Sequence, residues 1–295
     1  MAFMTLPDDD TMVTYPSGAV SGHGTVLHVA NHDSGTVVLT DRTPFHPVDP
    51  RWPDQGPDHG LITYGGVSVQ LLDCVIGATD GTQLSVGDEV TARRGEPGWA
   101  FVVAHVIPAV ERRPAVGDEI AFEVDADHRL RLSAGHTGCH VAALGLNAAL
   151  GERWRKPVRT DGLGHPDFDQ LAIVSSRITP DGAVDKYRVG RSLRKKGFDV
   201  DGLDAALPDI EETINRQLAT WVAAGADIQL EIHGPRLTDL REWICTLPEG
   251  IQRIPCGGTH LRSLTEVSSL AVELRSDIPA GDLTMTTTVR RADAT

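Results

Sequence analysis

Two pairs of metal-type side chains, set far apart in the chain, constrain its fold more than any other feature. His136 and His140 stand four residues apart in a stretch, about 129–150, whose apolar positions (Leu132, Val141, Leu144, Ala148) recur at helical offsets. At that spacing both imidazoles leave one helix face. Far downstream Cys256 and His260 are again four apart, but Gly257 and Gly258 lie between them, so this pair is expected on a loop. If both pairs serve one ion, the fold must carry a helix and a distant loop to the same point. Three nitrogens and one sulfur are a donor set that zinc favours. Each pair alone has a plainer reading: a helical histidine pair can be polar surface, and a cysteine four residues before a histidine is a weaker sign still. Cys139, beside His140, faces away from both histidines and is expected in the core.

The rest of the chain reads as two regions. Residues 1–112 hold short β-branched segments (25–29, 36–40, 67–71, 101–104) separated by turns such as Asp33-Ser34-Gly35 and Asp80-Gly81. This pattern predicts a small β-barrel-like domain. A proline-rich stretch from Thr43 to Gly60 interrupts it and has the character of a functional loop. Residues 113–295 hold a strand at 119–124, the helix at 129–150, and an amphipathic helix at 210–224 that follows Pro208-Asp209 and is closed by Gly225. Strands at 228–232 and 270–274 complete an α+β domain with the zinc site.

Composition narrows the setting. Hydrophobic residues make up 40% of the 295, enough for a core without disulfides. No apolar run is long enough for a membrane span, and the acidic MAFMTLPDDD is unlike a signal peptide. A cytoplasmic protein with reduced thiols is expected. The net charge of −14 argues against DNA or any extended nucleic acid, though not against a local basic patch. One such run is 186–196, with Lys186, Arg188, Arg191, Arg194, Lys195 and Lys196 and no acid. It is the expected place for phosphate contact, with Tyr187 able to stack on a base. A solvated charged face is the alternative.

Three motifs carry a family resemblance. His128 to His140 (HRLRLSAGHTGCH) resembles the helix entry of alanyl-tRNA synthetase editing domains and their free-standing AlaX-type relatives, where an arginine-containing lead-in precedes His-Thr-x-x-His. Cys256 to Val267 (CGGTHLRSLTEV) is similar to the family's second motif, with Glu266 as its acid. Phe45-His46-Pro47, then Gln55-Gly56-Pro57-Asp58-His59-Gly60, resembles the family's Phe-Tyr-Pro…Gly-Gly-Gly-Gln-Pro-x-Asp-x-Gly. The motifs keep the family's order and span most of the chain.

The resemblance implies a trans-acting deacylase that hydrolyses the ester of a misacylated tRNA, gripping its acceptor end, with zinc as cofactor. His136, His140, Cys256 and His260 would be the ligands. If all four ligate at once, an orienting role for the ion is favoured over a catalytic one. Gln55 would orient the ester or terminal nucleotide. Thr137 and Thr259 would bond the substrate or a ligand. His46 and Trp52 would shape the pocket for the aminoacyl side chain, and Asp58 would cap a turn. One departure matters: residues 48–54 (VDPRWPD) replace the glycine triplet before the glutamine with something bulkier. The substrate is therefore expected to be Ser- or Gly-tRNA(Ala), or a threonine analogue such as fluorothreonyl-tRNA(Thr). Two other readings stay open: a zinc hydrolase of a small ester or amide, and a non-catalytic zinc-stabilised protein that binds charged tRNA. The motifs carry no information on oligomeric state.

Overall fold

The computed structural model describes residues 6–277 and 281–292. The chain is mixed α+β and rich in strands, and it divides into two compact units. The first runs to Arg129 and adds 232–241 and 257–259; the second takes 130–231, 242–256 and the residues from His260 onward. No described helix is long and apolar enough to cross a membrane.

The first unit contains β1 (Met12–Val13), β2 (Ser21–His32), β3 (Gly35–Thr40), β4 (Arg42–Thr43), β5 (Gly60–Tyr64), β6 (Val67–Gln70), β7 (Asp73–Thr79), β8 (Leu84–Val86), β9 (Ala100–Ile107) and β10 (Glu119–Val124). Eight of them form one sheet in the order β6-β5-β10-β2-β3-β9-β7-β8. Among the described residues no ladder joins β6 to β8, so the sheet stays open where a barrel-like domain was expected. Strand β2 pairs with β10 through its first half and with β3 through its second, the change falling at a bulge between Val26 and His28. Strands β3 and β9 are buried on both faces, which is why they read as unbroken apolar runs, VVL and AFVVA.

That core encloses neutral histidines. His105 in β9 is fully buried, with Nδ1 3.1 Å from the Val38 carbonyl and Nε2 2.9 Å from the Thr43 hydroxyl. Burial pushes its pKa down to about 4, and that of His46 down to about 3. Below the unfolded value near 6.5 the denatured chain takes up protons that the folded chain refuses, so stability present above pH 6.5 is lost on acidification. We expect a loss of ~1.4 kcal/mol for each histidine by about pH 5.5. Urea unfolding in chelator from pH 7.5 to 5 checks this. An unchanged midpoint, or one equally steep in His105→Gln, would contradict it.

The second unit contains most of α1 (Ala126–Ala149), with α2 (Phe168–Ala172), β11 (Ile173–Thr179), β12 (Gly182–Arg188), α3 (Arg191–Lys195) and α4 (Leu203–Ala224). Strands β13 (Asp227–Ile232), β14 (Arg241–Leu247) and β15 (Gly250–Pro255) form a three-stranded sheet; β16 (Val267–Asp277) and β17 (Asp282–Arg291) complete a second sheet, β11-β12-β17-β16. Helix α1 starts three residues before its expected boundary because Asp125 accepts the His128 N–H at 2.9 Å and caps it. Helix α4 starts at Leu203, so Pro208 lies inside it rather than before it. Leu203, Leu207, Ile210, Ile214, Leu218 and Trp221 form one buried stripe, and burying its first two members outweighs the bond that proline removes. The Asn215 amide bonds both ways to Val272 and covers the outer edge of β16.

Glycines let α1 lie close against its neighbours. A Cβ on Gly135 would stand 2.4 Å from the carbonyl oxygens of both Thr179 and Gly182, whereas one on Gly145 would meet side chains alone, the Ile214 methyl at 3.1 Å and Leu218 at 3.6 Å. Gly135→Ala is expected to destabilise by ~2 kcal/mol net of a helix-propensity gain of ~1 kcal/mol. Gly145→Ala should be near neutral. Thermal melts of the two variants test the contrast.

Candidate metal centre

The second unit brings all four expected ligands together. His136 and His140 project from one face of α1, their ring centroids 4.8 Å apart. Cys256 directly follows β15, and its Sγ lies 3.5 Å from His136 Nε2 and 3.3 Å from His260 Nε2. One ligand atom from each of the four residues lies within 4.8 Å of the others. A tetrahedral zinc with bonds of about 2.0–2.3 Å would separate its donors by ~3.6 Å. The sulfur–nitrogen distances match that edge, so the residues fit the ion.

Two of the expected ligands, His260 and His140, are supported from behind. Thr137 is fully buried; its hydroxyl accepts the Leu261 N–H at 3.0 Å and lies 3.4 Å from His260 Nδ1. That contact engages Nδ1 and leaves His260 Nε2 facing the cluster, the arrangement commonly found behind metal-bound histidines. The His140 ring lies 4.9 Å from that of Trp243, which is fully buried in β14. Beyond His260 the Glu266 carboxylate accepts the Arg262 and Ser263 N–H groups and closes a capping box with Ser263, while Ile228 N–H reaches the Arg262 carbonyl at 2.9 Å. Glu266 therefore stiffens the turn after the ligand.

In the first unit Gln55 is buried and holds Thr259 at two points: its Nε2 donates to Thr259 Oγ1 at 2.9 Å, and its Oε1 accepts the Thr259 N–H at 3.0 Å. Both ends of the amide are thus engaged by the residue that precedes His260. His46 is buried, its ring edge-on to Tyr15 at 4.9 Å, while Trp52 is 46% exposed. Asp58 does more than cap a turn: it accepts the His46 N–H and forms an ion pair with Arg129, whose Nη2 also reaches the Pro44 carbonyl at 2.8 Å. Sequence reading missed this pair, because nothing local links residues 58 and 129.

The basic run ends β12 and forms α3. Lys186, Arg188, Arg191, Arg194, Lys195 and Lys196 are all exposed. Tyr187 is 1% exposed, and its hydroxyl donates to Asp169 at 3.1 Å; strand alternation turns its ring inward, so it offers no face for a base. Cys139 lies in the core, where burial and the nearby Asp185 carboxylate push its thiol pKa well up.

The chain is similar along most of its length to known proteins. It is 27% identical over 260 residues to the alanyl-tRNA editing protein AlaX-M of Pyrococcus horikoshii, covering 88% of this chain and 87% of that protein. It is 24% identical over 272 residues to an alanine–tRNA ligase of Frankia casuarinae, covering 90% of this chain, and 24% identical over 272 residues to one of Haloquadratum walsbyi, covering 90%. The chain spans 25% and 24% of the lengths of those two ligases. No protein-family model matches it. The resemblance read from three motifs thus extends over about nine-tenths of the chain.

Proposed function

We propose that this chain is an AlaX-type aminoacyl-tRNA deacylase that clears misacylated tRNA. The observation that carries the reading is the four-donor cluster, assembled from motifs that resemble those of editing domains. Similarity across nearly the whole length of an editing protein supports the same reading.

His136, His140, Cys256 and His260 would hold zinc, which when bound supplies a positive centre to polarise or orient the ester and its water. The protein's own groups do the rest. Thr137 keeps the His260 ring in place and Gln55 fixes the backbone at Thr259, so the loop that meets the ester is rigid before substrate arrives. We assign Thr259 and Gln55 to orienting the ester end, and Trp52 and His46 to shaping the space for the aminoacyl side chain. His46 stays neutral near pH 7 because burial disfavours its charged form, so it recognises by shape and hydrogen bonding rather than by charge. The six cations of 186–196 would contact tRNA phosphates near the acceptor end.

The substrate is Ser- or Gly-tRNA(Ala), or a threonine analogue such as fluorothreonyl-tRNA(Thr); the bulkier 48–54 segment is what opens the second choice. Deacylation of Ser-tRNA(Ala), Gly-tRNA(Ala), Thr-tRNA(Thr) and fluorothreonyl-tRNA(Thr), with His136→Ala as control, tests the proposal. Rapid release from one member that disappears in the control is the expected result. Release from none by zinc-loaded protein would overturn it and favour a charged-tRNA-binding protein.

A further inference from the structure

Segments 153–159 and 186–196 together hold ten of the chain's 27 Lys and Arg residues and no acid. They are well separated in sequence, yet in the second unit they lie side by side. The Arg155 N–H donates to the Gly197 carbonyl at 2.8 Å, and the Asp199 N–H to the Arg153 carbonyl at 2.8 Å. Lys156 Nζ reaches the Lys195 carbonyl at 3.2 Å, and the Trp154 ring packs edge-on against Phe198 at 5.1 Å. A Cβ on Gly197 would lie 2.9 Å from Lys156 Cβ, so glycine there lets the two basic segments close on each other. Arg155 pairs with Asp199, Arg159 with Asp167 and Arg188 with Asp282, and Arg194 reaches Asp201, but Lys156, Arg191, Lys195 and Lys196 have no carboxylate partner among the described residues.

We infer that Arg153-Trp154-Arg155-Lys156 and the α3 region form one composite phosphate-binding face, whose partner is the sugar–phosphate backbone of tRNA. The identity of the partner rests on the deacylase reading; the composite face does not. A chain of net charge −14 repels a polyanion at long range, so contact must be concentrated where cations outnumber the acids beside them. Helix α1 ends nine residues past His140, about 14 Å along its axis, and the first basic segment follows at once. The face therefore suits backbone phosphates beyond the nucleotide that carries the ester.

The test is binding of uncharged tRNA as a function of salt, using the zinc-loaded full chain. It compares wild type, Arg153→Glu/Lys156→Glu, Lys195→Glu/Lys196→Glu, and Arg216→Glu/Arg275→Glu, which changes net charge equally elsewhere in the unit. Zinc content and thermal melts confirm that each variant is folded. Both patch variants should bind at least about tenfold more weakly and lower the slope of log affinity against log salt by ~1.5, with the Arg216/Arg275 variant near wild type. Weakening by the Lys195/Lys196 variant alone would overturn the composite face, as would equal weakening by all three or no tRNA binding by wild type. Loss of binding in both patch variants, by a protein that hydrolyses no charged tRNA, would uphold the face while the deacylase reading failed.

Discussion

Replacing His136 with alanine is expected to lower bound zinc from about one per chain to none and to reduce deacylation by more than 100-fold. The ring is buried, its Nε2 lies 3.5 Å from Cys256 Sγ, and no other described side chain can take its corner of the cluster. Thr137→Val makes the sharper comparison. It keeps the shape of the side chain but removes the hydroxyl behind His260 and leaves the Leu261 N–H without its acceptor. Metal affinity should fall about 10- to 100-fold, with full occupancy regained at higher zinc, and stability should drop by ~1–3 kcal/mol. Metal analysis after dialysis at graded zinc concentrations reads both variants. Full zinc retention by His136→Ala would refute the ligand assignment.

The second large effect lies in the first unit. Asp58 and Arg129 form an ion pair with side chains 0% and 6% exposed. Asp58→Asn would remove the carboxylate that faces this buried guanidinium and should cost about 3–5 kcal/mol. The double replacement Asp58→Leu with Arg129→Met should cost less than either single charge removal, since no lone charge then stays buried. Urea unfolding of Asp58→Leu, Arg129→Met and the double variant decides this; a double variant as unstable as the sum of the singles would count against it. Because Asp58 also anchors the His46 N–H, the single variant should loosen the 43–60 segment that carries Gln55, seen as faster proteolysis within it.

The two halves of the donor cluster were legible from spacing because a helix fixes what stands four residues away, and two glycines disfavour a helix between Cys256 and His260. Apolar periodicity likewise marked α1 and α4, and β-branched runs marked β2, β3, β6 and β9. The errors were places where burial overrode a local sign. Pro208 read as a helix start, yet the stripe beginning at Leu203 carries the helix through it. Tyr187, set among cations, read as an exposed stacking ring, yet strand alternation buries it against Asp169. The first sheet has the short strands of a barrel, but closure depends on whether its end strands meet, which no local pattern encodes.

The sequence by itself determined the donor set, the helix and loop that carry it, the buried strands of the first unit and the resemblance to editing proteins. These follow from residue type and near-neighbour spacing, where backbone geometry leaves few choices. Only the tertiary structure decided that the four donors converge, that Arg129 neutralises Asp58, that Thr137 stands behind His260, and that two basic segments form one face. Each joins residues tens of positions apart or more, and such pairs meet only where packing of the intervening chain puts them.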